Sequence, residues 1–428
     1  MDKEGHRKTF GNRVQYVSLF VIFESDIFQP LISVRRLAVR IVVAHNYYGS
    51  RATGGETVVF HQEVNLLRRF GHEVLTIEHE NDEIKSYRPL KKITTPLCLG
   101  FSRAIYNESL EVFKRFKPKI LHLHNYKYVI TPAICQAAKD CGVKTVLTLH
   151  NYRLICPGGQ LRRGDMTCEE CLKRNPIRSL WRSKCASNVS SRLLQYACYV
   201  ETRRPLLHNV DVFIALTEFA RQKFIEGGLP ASKIVVKPNF VFEPTPSVVR
   251  IDANEKKKGA IFVGRLSSEK GVRFLIDAWR DVEFLLTVVG DGPERAWARA
   301  NAPENVSFAG EKSHQETIEL MRQAEFLIFP SVWYEGLPMT LLESCAVGTP
   351  ILATDLGPRR EVVKDGVSGF LFQPGDREGF ITIVNELHRD PELRRQLGVG
   401  ARRLYEELYT PERNIELLNS IYNGALLS

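Results

Sequence analysis

Residues 330–350 read PSVWYEGLPMTLLESCAVGTP, and two carboxylates in that stretch, Glu335 and Glu343, stand eight positions apart. Pro338 suits a first helical turn, where the N–H it lacks would be unpaired anyway. The apolar run from Met339 to Val347 fits a buried helix. A helix start turns free backbone N–H groups and the positive end of its dipole toward an anion. From Pro338 to Glu343 such a helix rises ~7.5 Å, about the reach from a diphosphate to its ribose. Each carboxylate can accept hydrogen bonds from a pair of adjacent hydroxyls. The expected chemistry is therefore a phosphate gripped by the N–H groups near Leu337, Met339 and Thr340, in the donor-binding stretch that includes Gly336, Leu337 and Pro338, with Glu343 reading a ribose and Glu335 the sugar beyond the far phosphate.

Three further stretches carry compatible chemistry. In FVGRLSSEKG (262–271), Arg265 and Lys270 flank a polar turn at the end of an apolar run. Arginine suits a diphosphate by its planar fork and lysine as a point charge. In SRATGGETVVF (50–60) the glycine pair that includes Gly55 lets the backbone approach a ligand closely. His150, in TVLTLHN, is placed to donate to a leaving phosphate or to touch an acceptor. A fourth stretch is of another kind. Cys156, Cys168, Cys171 and Cys185 follow the pattern C-x11-C-x2-C-x13-C, which suits a structural zinc site or, equally, four reduced thiols.

The elements that must position these residues show in the rhythm of the chain. From residue 37, short apolar runs such as VRIVVAH, PKILHLHN and VDVFIALT alternate with amphipathic segments. After the proline-rich NFVFEPTPSVVR the rhythm restarts with GAIFVGRL, FLLTVVG, FLIFPS and PILATD. Repeated β-α-β argues an α/β chain with two doubly wound parallel sheets facing across a cleft, ligands lying beyond the carboxyl ends of the strands. The expected divisions are an extension at 1–36, poorly ordered; a first Rossmann-like domain at 37–242 with a cysteine-rich insertion at 156–185; a linker at 243–254; a second Rossmann-like domain at 255–408; and a terminal helix at 409–428 returning to the first domain.

The chain has 428 residues, 59 basic and 49 acidic, for a net charge of +10. Residues 37–250 hold 32 basic and 18 acidic residues, whereas 251–428 hold 21 and 27. A basic half beside an acidic one points to an anionic partner for the first half. No apolar run reaches the 18 to 20 residues, roughly, that a membrane span needs. Residues 1–36 lack a small-residue cleavage site, so export is not expected and the nine cysteines are expected reduced.

Taken in order, GGETVVF, LHLHN, TLHNYRLICP, ALTEFARQKF, VVKPN, FVGRLSSEKG, VVGDGPE and FPSVWYEGLPMTLLESCAVGTPILATDLG resemble the retaining glycosyltransferases of family 4, which have the two-domain GT-B fold. The resemblance runs from about residue 37 to the C-terminus. It implies transfer of a hexosyl group from a nucleoside-diphosphate sugar with retention of configuration and no catalytic metal. It implies that Arg265 and Lys270 bind the diphosphate, Glu335 the hexose and Glu343 the ribose, with Gly55 against the phosphates and His150 at the reacting centre. Where the family often continues with two glycines and a glutamate, this chain reads DLGPRREVV. The acceptor is expected to be a glycan or lipid-linked precursor, met by a cytoplasmic enzyme held reversibly on the inner face of an anionic membrane. Two rivals remain: a nucleoside-diphosphate-sugar epimerase on the same fold, and a nucleic-acid-binding protein. The latter lacks a zinc-finger histidine pair or an aromatic-basic recognition stretch, so no nucleic-acid partner is expected.

Overall fold

The apolar runs form short parallel strands buried on both faces, as expected where helices cover a sheet on either side. The computed structural model describes residues 38–49, 54–86, 100–164, 166–173, 176, 185, 188–244 and 258–427. The expected extension at 1–36 and most of the expected linker lie outside the described residues. Residues from Ala38 onward make up one compact unit.

In chain order the strands are β1 (Arg40–Tyr47), β2 (Glu73–Glu80), β3 (Ile120–Leu123), β4 (Lys144–Leu149), β5 (Arg162–Arg163), β6 (Met166–Thr167), β7 (Val212–Ala215) and β8 (Ile234–Val236). They continue with β9 (Ala260–Val263), β10 (Leu286–Val289), β11 (Val306–Gly310), β12 (Phe326–Phe329), β13 (Ile351–Thr354) and β14 (Gly369–Phe372). One sheet has the order β2-β1-β3-β4-β7-β8 and the other β11-β10-β9-β12-β13-β14, while β5 and β6 pair separately as a hairpin. Within both large sheets every pairing is parallel. The chain direction across each sheet reverses where β1 meets β3 and where β9 meets β12. Those are the points at which open α/β sheets take ligands. Gly55 follows β1, Arg265 follows β9 and Glu335 follows β12, so three of the chemistry-bearing stretches open at these two switch points.

Core packing explains how the chain end is used. The helix Pro411–Leu427 inserts Ile415, Leu418, Tyr422 and Ala425 into the cluster that holds Ile41 and Val43 of β1, Val146 of β4 and Ile214 of β7. Leu418 is fully buried, and such a side chain contributes about 1.5–3 kcal/mol. The preceding helix, Pro391–Leu408, belongs to the second half, where Ala401 and Tyr405 pack with Leu341 and Cys345. The last helix therefore ties the end of the chain to the first sheet.

Candidate active site

The side expected to take the donor grows out of two loops. After β9 the chain turns through Arg265, which is exposed, and a one-turn helix at Ser268–Lys270. Gly271 then sits at φ +73°, and a Cβ there would lie 2.1 Å from the carbonyl oxygen of Pro330. Only glycine lets the two loops approach so closely. Their contact carries charge: Lys270 Nζ donates to Glu335 Oε2 at 2.7 Å. Burial pushes the Glu335 carboxyl up, but Lys270 and then Arg359 outweigh it and hold it below the usual range. The other oxygen, Oε1, is buried without a hydrogen-bond partner. A buried ionised oxygen left so is costly unless something donates to it, and a sugar hydroxyl would.

The helix after this loop spans Met339–Ala346, with Pro338 as its extended N-cap rather than within its first turn. The difference is one residue and leaves the helix start where the sequence places it. Glu343 is inside that helix, 7 % exposed, and burial pushes its carboxyl up to about 7. His314 Nδ1 lies 3.5 Å from it, and burial lowers that imidazole's own pKa.

On the opposite side, His150 follows β4 and His124 follows β3. His124 Nδ1 and His150 Nε2 are 3.0 Å apart, with the rings stacked. Burial, then His124, push the His150 pKa well down, so its imidazole is neutral at pH 7. Its Nε2 is engaged with His124, which leaves Nδ1 for a ligand. Behind them lies a buried network that sequence reasoning missed. Lys237 Nζ donates to Glu63 Oε2 at 2.8 Å and to Asn414 Oδ1 at 3.2 Å. His122 Nδ1 meets the Tyr422 hydroxyl at 2.8 Å, and its Nε2 meets Thr148 Oγ1 at 2.8 Å. Glu63 Oε1 lies 3.3 Å from His124 Nε2 yet is not in line for a hydrogen bond. Among the described residues, Glu63, His122 and His124 form the one group whose candidate metal-binding atoms all lie within 4.8 Å of one another. The Lys237 ammonium already occupies the cation's place on Glu63, and both ring nitrogens of His122 have partners. The group is a charge network joining the last helix to the floor of the site. Its signal in the sequence was HLHN, where histidines two apart on a strand share one face.

The two sides meet. A Cβ on Gly336 would lie 3.1 Å from the His150 carbonyl oxygen and 3.3 Å from Leu216 Cδ1. Asn239 Nδ2 donates to the Leu337 carbonyl at 3.3 Å. The DLGPRREVV departure also acquires a structural account. Arg359 is fully buried, donating to the carbonyls of Leu356 and Trp333 and passing over the Phe329 ring, so it props the loop that carries Glu335. Glu361 accepts from the backbone N–H groups of Glu218 and Phe219. It thus closes the exposed start of the helix Glu218–Glu226 from the other half of the molecule. Gly55 begins the helix Gly55–Arg69, and no protein atom lies within 4 Å of a Cβ built there.

Beyond His124 and His150 the first half has a cavity lined by Tyr126, Lys127, Tyr128, Arg153, Cys198 and Tyr199, among others. Tyr128 is held at φ +86°, a left-handed conformation costly for an aromatic residue and typical of functional loops. Lys127 Nζ sits 4.6 Å over the Tyr128 ring. Burial, then Arg153, lower the Lys127 pKa to about 8. Among the described residues it has no ion-pairing carboxylate. Of the expected cysteine group, Cys156 and Cys171 are in side-chain contact, but among the described residues the four cysteines do not form a group whose sulfurs all lie within 4.8 Å of one another.

The comparisons with known proteins agree with this geometry. Residues 53–242 match the model for Glycosyltransferase Family 4, and residues 247–404 match Glycosyl transferases group 1. An uncharacterized glycosyltransferase of Methanocaldococcus jannaschii is 32% identical over 35% of this chain and 48% of its own length. The O-antigen chain mannosyltransferase C of Escherichia coli is 29% identical over 39% and 47% respectively, so the match spans about half the length of these two relatives. N-acetyl-alpha-D-glucosaminyl L-malate synthase of Bacillus anthracis is 24% identical over 76% of this chain and 80% of its own. Anabaena HepE, crystallised with UDP, superposes with a TM-score of 0.61 at 16% identity, covering 90% of this chain and all of that one. With both halves matched in order and two parallel sheets that meet across the site, the chain belongs to the family 4 glycosyltransferases of GT-B fold.

Proposed function

We propose that the protein transfers a hexosyl group from a nucleoside-diphosphate sugar to an anionic glycan or lipid-linked acceptor, with retention of configuration. The observation that carries this reading is the packing of the Glu335–Pro338 loop directly on the His150 carbonyl. It sets Glu335, paired with Lys270 and carrying an unsatisfied buried oxygen, beside the loop that holds the neutral His150. Arg265, Lys270 and the helix start stabilise the charge that develops on the leaving diphosphate, a preorganised electrostatic task. Glu335 Oε1 accepts from the sugar, Glu343 from the ribose, and His150 Nδ1 bonds the transferred sugar or acceptor. The leaving phosphate helps deprotonate the acceptor on the same face, so no covalent intermediate on the enzyme is required. The UDP bound by HepE supports a nucleoside diphosphate. A panel of UDP- and GDP-sugars tests the donor: the true one raises the melting temperature by mass action. An NMR assignment of the product anomer tests retention. Turnover of donor alone into an isomeric sugar nucleotide would instead favour an epimerase.

The acceptor half supports an anionic partner. Lys127 is a half-buried ammonium that shares its cavity with Arg153 and three tyrosines, a setting for the acidic group and ring faces of a charged sugar. The helix Val189–Asn209, which supplies Cys198 and Tyr199 to that cavity, leaves Val189, Leu193 and Val200 between 47% and 50% exposed. Among the described residues no helix is long and apolar enough to cross a membrane. We infer a reversible attachment to an anionic membrane through this apolar face and the surrounding positive charge. Sedimentation with vesicles containing anionic lipid should pellet the protein at low salt, and less so for Leu193→Ser/Val200→Ser. Equal pelleting with neutral vesicles would refute the electrostatic part.

A further inference from the structure

Where the two halves meet beside Glu335, each lends a side chain to the other's core. Leu216, which follows β7 of the first sheet, is buried with Leu337 and Leu341 of the second half. Tyr334, the residue before Glu335, packs instead against the first-half cluster that holds Tyr152, Ala220 and Phe224. Its ring lies 4.9 Å from that of Phe219, edge to face, and its hydroxyl bonds Thr167 and Glu169. Gly357 makes room for this contact. It sits at φ +63°, and a Cβ there would lie 2.8 Å from Tyr334 Cδ1 and 3.6 Å from Phe219 Cε1, so any side chain would push the rings apart.

One carboxylate ties this joint. Glu361 lies in the short helix Arg359–Val362 that follows Gly357. Its Oε1 accepts from the Phe219 N–H at 2.7 Å and its Oε2 from the Glu218 N–H at 2.9 Å. Thr217 Oγ1 takes the next free N–H of that helix, from Ala220, at 3.1 Å. Side chains of both halves therefore fill one helix start, where the dipole and the free N–H groups favour a carboxylate. The bond to Phe219 fixes the backbone of the residue whose ring meets Tyr334. From the other side, Arg359 Nη2 donates to the carbonyl of Trp333, the residue before Tyr334, at 2.8 Å. The helix that carries Glu361 thus holds both the tyrosine's own loop and the ring it packs on. Parting the halves here would strip two N–H groups of their acceptor at once.

We propose that Glu361 is a positioning residue for the transfer reaction: by capping the first-half helix it seats Phe219 on Tyr334, and so holds Glu335 in place against the His150 loop. This rests on the proposed role of Glu335 toward the sugar. Among the described residues the Glu361 carboxylate bonds Glu218 and Phe219 and not Arg265, Lys270 or Glu343, so it acts on the placement of the sugar and not on the grip of the nucleotide.

The test compares full-length proteins, without ligand, by amide hydrogen exchange. In Glu361→Ala, Glu218 and Phe219 and also residues 333–336 should exchange about tenfold faster, while Arg40–Tyr47 and Ile351–Thr354 keep their rates. Glu361→Gln keeps the length and one accepting oxygen, and should fall between. Phe219→Leu removes the ring contact but leaves the N–H bonds, so it should quicken residues 333–336 alone. Faster exchange at Glu218 and Phe219 with none at 333–336 would reduce Glu361 to a helix cap and overturn the proposal. Faster exchange throughout would overturn it too, because that reports lost stability. Once the donor is known from its effect on melting, Glu361→Ala should lower kcat about tenfold and leave the Kd for UDP within about twofold. An unchanged kcat, or an equal loss of UDP affinity, would overturn the positioning role. The exchange measurements need neither donor nor acceptor, so their outcome is separate from failure of the proposed activity.

Discussion

Glu343→Gln should escape the stability loss that the ligand-free parent undergoes as pH rises from 4.5 to about 7, while weakening donor binding. The reason is the buried position of Glu343 in an apolar helix, where desolvation alone pushes the carboxyl from the ordinary 4.5 up to about 7. The direction is opposite to that of a salt-bridged carboxylate. The native state keeps this proton after the unfolded chain has lost it, so stability falls as pH rises from 4.5 and levels off above 7. At roughly 1.4 kcal/mol per pH unit, the gap between 4.5 and about 7 corresponds to about 3 kcal/mol. A buried glutamine brings its own cost, but one that does not change with pH. The stability of Glu343→Gln minus that of the parent should therefore increase by about 3 kcal/mol between about pH 4.5 and pH 8.5. Urea unfolding of both proteins at the two pH values measures this directly. Titration with UDP should show weaker binding by the variant at the higher pH, where the parent presents an ionised acceptor to the ribose. A stability difference that is the same at both pH values would refute the desolvation argument. Unchanged UDP affinity would remove Glu343 from the ribose site.

Glu335→Gln should depress turnover far more than nucleotide binding, by about 2 to 4 kcal/mol in the transition state; near-normal kcat in steady-state assays would sink that assignment. Leu418→Ala should cost about 2–5 kcal/mol in chemical denaturation, because the fully buried side chain seats the last helix on the first sheet. A loss under 1 kcal/mol, roughly, would mean that the helix is not held by this core. Tyr422→Phe should raise the pH at which His122 gains its proton little, since burial is the main cause that lowers it to about 4; an NMR titration that moved it near 6.5 would refute that ranking.

Much of the site was legible because its parts are local. Apolar runs flanked by glycine and polar turns give strands that end just before Gly264 and Pro330, and a helix start after Pro338 follows from the proline and the apolar run beyond it. Glu335, Glu343, Arg265 and Lys270 could therefore be named from spacing alone. Short apolar runs alternating with amphipathic segments likewise set the two parallel sheets. What no local pattern contains is which side chains meet across hundreds of residues. The Lys270–Glu335 pair spans 65 positions, Lys237–Asn414 spans 177, and His122–Tyr422 spans 300. Whether Arg359 is a surface cation or a buried prop depends on the Trp333 carbonyl and Phe329 ring that the fold brings to it. The charge state of Glu343 and His150 was equally out of reach, because desolvation is a property of everything packed around a group and not of its neighbours in sequence. The sequence alone determined the kinds of chemical group and the elements that carry them; tertiary packing decided their partners, their protonation and their convergence on one cleft.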